Sequence, residues 1–465
     1  MITSTAPQRP SLHSPSQHSP SQPPADTGNP SADSPSARTG SRFSRLPELA
    51  GRGFIPLGLF ARLPLAMLTV GTLTLITSVS GSYAVGGTSA GAVGIGSAIG
   101  APVLGALADR FGQRPVLEVT AILNTLAVLA LIATAYVVHG AESSAVPVLA
   151  AAFVAGISCP QVGPLARVRW MALTSAGNRQ GRGKDLDTAL SYESTADELT
   201  FVLGPALVGI LASLIAPWLP LALAAALTIT LVPAFAVHRT HLSVPRRTVE
   251  RRTVPRGTVE GTTVERRAEP RRANRAGLAS FAAVSLPVLA MVCMGSFFGS
   301  TQAALSSFSA AFATSEVAGL LYAVMGLSSA AAAISVAYWP ARFTLAARWL
   351  AGAAVMAGLS TLLLLPGDGW AMVLVLLVLG LPVGPVMVTV FAIGGIVAPA
   401  GRLGTVMTAL ASGIVAGTAL GSSAAGQLAQ GSGYSAAFLV PVAAAAALFV
   451  LGAAAAVVVR RSRPK

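Results

Sequence analysis

From residue 58 onward, apolar segments long enough to cross a bilayer follow one another with only short polar breaks. The pattern predicts helices over 58–82, 84–107, 115–138, 146–166, 188–213, 217–237, 281–305, 317–338, 346–366, 370–396, 404–428 and 435–459. Each is near the ~20 residues that a spanning helix requires. The stretch before them, residues 1–55, is rich in Ser and Pro and has no sustained apolar run. It reads as a disordered cytoplasmic tail. It is not a signal peptide, because no apolar core follows a basic start.

The basic residues test the count of helices, since cytoplasmic loops of membrane proteins are enriched in Lys and Arg. Arg110 and Arg114 follow the second segment, and Arg167, Arg169, Arg179, Arg182 and Lys184 the fourth. Eleven arginines from Arg239 to Arg275 follow the sixth, Arg342 and Arg348 the eighth, and Arg402 the tenth. Arg460, Arg461, Arg463 and Lys465 close the chain, and the six alternate loops contain no Lys or Arg. This asymmetry predicts an all-α membrane protein with twelve transmembrane helices and both termini cytoplasmic, in the plasma or inner membrane.

The long connection divides the helices into two groups of six. The expected organisation is a first bundle over 56–238, a basic cytoplasmic linker over 239–277, a second bundle over 278–460 and a basic tail over 461–465. The linker repeats a five-residue unit at Thr248-Val249, Thr253-Val254, Thr258-Val259 and Thr263-Val264. Eleven arginines against four glutamates give it a charge of +7. It reads as an expanded linker; the alternative is contact with anionic lipid headgroups, worth ~1 kcal/mol per basic residue near the surface.

Composition agrees. Hydrophobic residues make up 53% of the 465 residues and charged residues 10%, with a mean hydropathy of +0.68. An average soluble domain carries about 25% charged residues. Disorder, a coiled coil and a disulfide-rich secreted fold are excluded for the bulk of the chain. The two cysteines, Cys159 and Cys293, lie in apolar runs and suggest neither a disulfide framework nor a metal site. The net charge of +14 follows the loop asymmetry, and no folded basic module points to nucleic acid.

The two groups of helices resemble each other. Gly87 to Phe111 ends in Ala-Asp-Arg-Phe, and Gly319 to Phe343 ends in Pro-Ala-Arg-Phe at the same spacing. Val162-Gly163-Pro164 in the fourth helix is matched by Val383-Gly384-Pro385 in the tenth. Gly204-Pro205-Ala206-Leu207 in the fifth is matched by Gly417-Thr418-Ala419-Leu420 in the eleventh. Together these suggest an internal six-plus-six duplication, an arrangement that typifies secondary transporters.

Residues 105–117, between the second and third helices, read Gly-Ala-Leu-Ala-Asp-Arg-Phe-Gly-Gln-Arg-Pro-Val-Leu. This closely resembles the signature loop of the major facilitator superfamily, and the resemblance extends over about 58–460. It implies two pseudo-symmetric six-helix bundles and carries Gly105, Asp109, Arg110, Gly112 and Arg114 over as gating residues. Gln113 departs from the usual basic residue. In the family the acid links the two halves; here its expected partner is the start of the eleventh helix, near Gly401 to Thr405. Gly204-Pro205-Ala206-Leu207-Val208-Gly209 partly resembles a stretch associated with drug/proton antiporters, with Val208 in place of a glycine. The alternative for Gly204, Pro205 and Gly209 is small-residue helix packing.

Ionisable residues within the apolar segments gather in the fifth: Glu193, Asp197 and Glu198. Glu193 and Asp197 are four apart and share a helical face, whereas Glu198 points about 100° away. Such acids can carry a proton, or Arg167 and Arg169 at the end of helix four can hold them in a buried ion network. Arg62 reads as an interfacial anchor, with a substrate counter-ion as the alternative. Gln161, Phe297, Phe298 and Gln302 are candidate substrate contacts, with core packing as the alternative. Gly94 to Gly100 only faintly resembles a dinucleotide loop and reads as helix packing. His238 and His241 read as basic-loop residues rather than metal ligands. No metal, cofactor or enzymatic constellation is expected.

The expectation is a monomeric secondary transporter that exports a small, largely apolar organic molecule coupled to protons. An importer of a polar metabolite and a non-transporting sensor or scaffold are the alternatives.

Overall fold

The computed structural model describes residues 42–81, 83–137, 145–175, 179–244, 270–312, 317–340 and 342–461. Most of the tail 1–55, the repeat in the linker and residues 462–465 lie outside the described residues. Among the described residues, twelve helices are long and apolar enough to cross a membrane. The first six are α1 (Phe54–Ser80), α2 (Val85–Phe111), α3 (Gln113–Val137), α4 (Val146–Ser175), α5 (Gly183–Leu214) and α6 (Leu219–Val237). The last six are α7 (Ala283–Ser309), α8 (Ala318–Tyr338), α9 (Leu345–Leu364), α10 (Gly369–Val397), α11 (Leu403–Ala437) and α12 (Leu439–Ala456). A short helix, Arg45–Ala50, precedes α1.

Local chemistry explains where these helices start and break. Thr344 caps α9 by accepting a hydrogen bond from the Ala347 N–H at 3.4 Å, and Asp368 caps α10 by accepting one from Ala371 at 2.9 Å. α4 is two helical pieces, Val146–Ile157 and Val162–Ser175, separated at Pro160. At this break the Cys159 N–H donates to Gly156 instead of Ala155. The freed Ala155 carbonyl accepts from the Asn124 amide of α3 at 2.7 Å.

The two halves share one packing device. Gly96 and Gly100 of α2 bring its backbone against Phe153 and Ile157 of α4. Gly380 and Gly384 of α10 do the same against Met325 and Ser329 of α8. Small residues let helices approach closely where lipid removes the usual hydrophobic drive to associate. Gly204 of the partial antiporter stretch lies against Ala66 of α1, whereas a Cβ at Gly209 would meet nothing within 4 Å. Gly209 is therefore not a packing residue, a correction to the grouping of all three.

The interiors differ. The last six helices enclose one apolar core running from Ala290 to Leu448. The first six enclose two larger ones, one around Phe54, Leu165, Trp170 and Phe235 and another around Leu75, Leu131, Ala152 and Leu221, and a small third around Met67, Val208 and Ala224. Arg62, Asn124 and Gln161, all buried, lie between the two larger cores along α1, α3 and α4. Outward-facing residues such as Ile122, Leu126, Leu374 and Leu420 are exposed apolar side chains, as a lipid-facing surface requires. The halves meet through α2 with α11 and α5 with α8.

Asn124→Leu removes the donor to Ala155 and is expected to cost about 1 kcal/mol. The check is a lower unfolding temperature in detergent with helix content unchanged.

Candidate functional site

Arg62 stands at the turn between the helical pieces Phe54–Phe60 and Leu63–Ser80 of α1. It is 4% exposed, so it is not an interfacial anchor. Leu46, Ala50 and Phe54 of the leading helix and the first turn of α1 are buried in the same core as its neighbour Ala61. Its guanidinium donates to Glu193 at 2.7 Å and to Asp197 at 2.8 Å, and its Nε donates to the Gly58 carbonyl at 2.9 Å. Arg167 of α4 donates to the other Asp197 oxygen at 2.6 Å. The second Glu193 oxygen accepts from the Trp170 indole at 2.8 Å. Two arginines and two acids thus form one alternating chain without net charge. The four-residue spacing of Glu193 and Asp197 makes this possible, because it stacks both carboxylates on one face of α5.

Such a chain is costly to break. Each ion loses several kcal/mol of hydration on burial, which only close opposite charges and full hydrogen bonding repay. The second half adds no charge to it. Its contribution is Phe391 of α10, whose ring lies 3.9 Å from the Arg167 guanidinium.

Arg169 does not join the network, contrary to the sequence expectation. Two residues along a helix is a turn of about 200°, so it points away from Arg167. It is fully buried and donates to Gln113 at 2.8 Å, to the Phe235 carbonyl at 2.7 Å and to Thr240 at 3.1 Å. This explains Gln113: an amide oxygen accepts from a guanidinium, which a basic residue cannot do. His238 lies at the same end. Burial, followed by the charges of Arg169, Arg239 and His241, holds its imidazole below the usual range.

Glu198 turns toward the second half and is 6% exposed. It accepts from the Ser329 hydroxyl of α8 at 2.9 Å, and among the described residues it has no ion pair. Thr195, one turn earlier, donates to the Ala330 carbonyl of α8 at 3.2 Å.

The signature loop joins the halves at the other seam. Asp109 accepts from the N–H groups of Gly404 and Thr405 at 2.8 and 2.7 Å, and from the Thr405 hydroxyl at 2.7 Å. These are the first free amides of α11, where the helix dipole favours an anion. Gly105 permits the approach, since a Cβ there would lie 2.7 Å from the Gly404 carbonyl oxygen. Gly112, at φ +93°, makes the turn. Arg110 lies over the neighbouring Phe111 ring and Arg114 pairs with Glu118 at 2.9 Å, both within the first half.

The candidate substrate contacts are dispersed. Phe297 and Phe298 are buried in the core of the second half and pack edge to face, so their role is packing. Gln161 is buried and its amide donates to the Cys159 carbonyl at 2.9 Å, within the break of α4. Gln302 is exposed. Among the described residues, no group of three or more His, Cys, Asp or Glu side chains could hold a metal ion. Sequence reasoning missed Asp187 of α5, which pairs with Arg348 of α9 across the halves at 3.0 Å. The available signal was an acid on α5 within a basic loop, opposite a basic residue opening the ninth apolar segment.

Arg167→Ala leaves Asp197 with one cation, Arg62, and is expected to cost about 1.5–3 kcal/mol. Combining it with Asp197→Asn should recover part of that loss, as measured by a double-mutant cycle on thermal unfolding.

The sequence description of the Major Facilitator Superfamily matches residues 54–412. A comparison with curated protein sequences finds no match. Among solved structures, the human organic anion transporter MFSD10 (TETRAN) aligns with a TM-score of 0.61 at 19% identity, covering 86% of this chain and 98% of that one. A bacterial homologue of the iron transporter ferroportin in an outward-facing state aligns with a TM-score of 0.61 at 16% identity, covering 87% and 98%. The E. coli fucose:proton symporter FucP aligns with a TM-score of 0.57 at 15% identity, covering 86% and 98%. At these identities the likeness is one of fold.

Proposed function

Because the chain belongs to the major facilitator superfamily, a family of transporters rather than enzymes, we propose that it exports a small, largely apolar organic molecule in exchange for protons, by alternating access. The observation that carries this reading is the Asp109 contact with the start of α11. It ties one half to the other at a single end, as a gate must. The basic loops assign that end to the cytoplasm under the positive-inside rule, in the plasma or inner membrane. The acid network of the first half then lies behind the closed gate. Glu193 and Asp197 are compensated by arginines and serve as its scaffold. Glu198, at the seam between halves and without a cation, is the acid we assign to proton coupling.

Export is favoured by the partial antiporter stretch at Gly204 to Gly209. The bundles over 56–238 and 278–460 are the moving bodies, and the basic residues of the linker 239–277 would favour anionic headgroups where they approach the bilayer surface. The transporter works as a monomer. The polar layer of Arg62, Asn124 and Gln161 in the first half favours a second reading, proton-coupled uptake of a polar metabolite.

The test is proton movement in energised inverted vesicles challenged with a panel of dyes and antibiotics. A compound that discharges the pH gradient with the native protein and not with Glu198→Gln supports the reading. Silence across the panel with folded protein removes the export assignment. Asp109→Ala loses charge-assisted hydrogen bonds worth about 1.5–3 kcal/mol each, so the closed-gate population should fall at least tenfold. Labelling of an introduced cysteine behind the gate reads that fall.

A further inference from the structure

The charges of the buried ion chain cancel, but a second set of cations in the first half goes unanswered. Arg169 is fully buried and donates only to neutral acceptors: Gln113, the Phe235 carbonyl and Thr240. Arg239 and His241 follow in the turn after α6, and both stand with Arg169 within electrostatic reach of His238. Among the described residues none of these four groups has an ion pair. A buried charge without an opposite one is costly, so an anion beside this cluster would be strongly attracted.

The guanidinium also has a donor to offer. Nη2 of Arg169 is buried and has no hydrogen-bond partner among the described residues. In the guanidinium plane it lies between the Nε that serves Gln113 and the Nη1 that serves Thr240. It therefore points between the start of α3 and the turn after α6. The same two segments wall a cavity of about 300 Å3, with Gly112, Gln113 and Arg114 on one side and His241, Leu242 and Val244 on the other.

The rest of the wall is electropositive. α3 begins there, so the amides of Gln113 and Arg114 lack intrahelical acceptors and the helix dipole presents its positive end. His241 meets the His238 carbonyl through Nδ1 at 2.9 Å, which leaves Nε2 for a ligand. Arg114 pairs with Glu118 at 2.9 Å, but both side chains are exposed and such a pair is weak.

We propose that this cavity binds a phosphate group, held by the leading amides of α3, Arg114 and His241, with Arg169 as the buried charge behind them. The phosphate is that of an anionic lipid headgroup or a free phosphate. The exposed Leu242 on the rim suits the apolar part of a lipid. Bound phosphate fastens the loop after α2 to the turn after α6. Both segments belong to the first half, so binding does not depend on which molecule crosses the membrane or in which direction.

The experiment uses full-length protein in detergent, freed of bound lipid, and follows its unfolding temperature at matched ionic strength. The probes are inorganic phosphate, short-chain phosphatidylglycerol below its micellar concentration, and chloride as the control. A saturable rise with phosphate or phosphatidylglycerol and none with chloride is expected. A rise with inorganic phosphate identifies a free phosphate as sufficient; a rise with phosphatidylglycerol alone identifies a headgroup. His241→Glu with Arg114→Gln should raise the half-maximal concentration about tenfold. No saturable rise with either probe refutes the site. So does an undiminished response in the double variant, which places the anion on other basic segments. A second readout needs no change of charge. With both native cysteines replaced by alanine, Val244→Cys puts a thiol on the cavity wall, and the effective probe should slow its labelling by a neutral maleimide several-fold. An unchanged rate at saturating probe refutes the site whatever the double variant does.

Discussion

Four ionised side chains of the first half form one chain in which each charge is answered by another, whereas the buried Arg169 is held by neutral acceptors alone. Removing Arg62, Arg167, Glu193 or Asp197 would leave the chain with an unbalanced charge in a largely buried place. This constraint explains the bend of α1 that lowers Arg62 onto α5. It explains why Trp170 spends its indole N–H on Glu193. It also explains why a polar layer divides the two larger apolar cores of the first half.

The second half carries no such layer, and its core is continuous. The molecule therefore divides its chemistry unequally across a duplicated fold. The buried four-membered ion chain is kept within one half, while individual acids of that half reach across the joint. Asp109 on α11, Glu198 on α8 and Asp187 on α9 are three acids of the first half that reach donors of the second. Each is replaceable by water when the joint opens, which the buried network is not.

The helices were legible because length, hydropathy and the distribution of arginines are independent signals that agree. The partner of Asp109 was legible through the resemblance of its loop, and the four-residue spacing of Glu193 and Asp197 placed them on one face. Other features left no local trace. Arg62 begins an apolar segment and so reads as a boundary; its partners Glu193 and Asp197 lie 131 and 135 residues away, and nothing beside it marks them. Arg169 neighbours Arg167 in sequence, but helical rotation sends it to Gln113. Ser329 lies 131 residues from Glu198, and nothing in either segment marks the pair. Phe297 and Phe298 beside glycines resemble a ligand-binding face, and the same composition builds a tight core.

The ring of Phe391 beneath Arg167 has a mechanical consequence. An ion pair or a hydrogen bond is directional and fails within an ångström or two of displacement. The face of an aromatic ring attracts a cation over a broad area, with a shallow dependence on lateral position. Where the charged centre of one half touches the other, the surface is thus a bearing rather than a latch. One half can turn across it while the ions keep their own partners. The energetic resistance to motion is then concentrated at the rim, where single contacts can be made and released, and the charged centre travels as a rigid passenger.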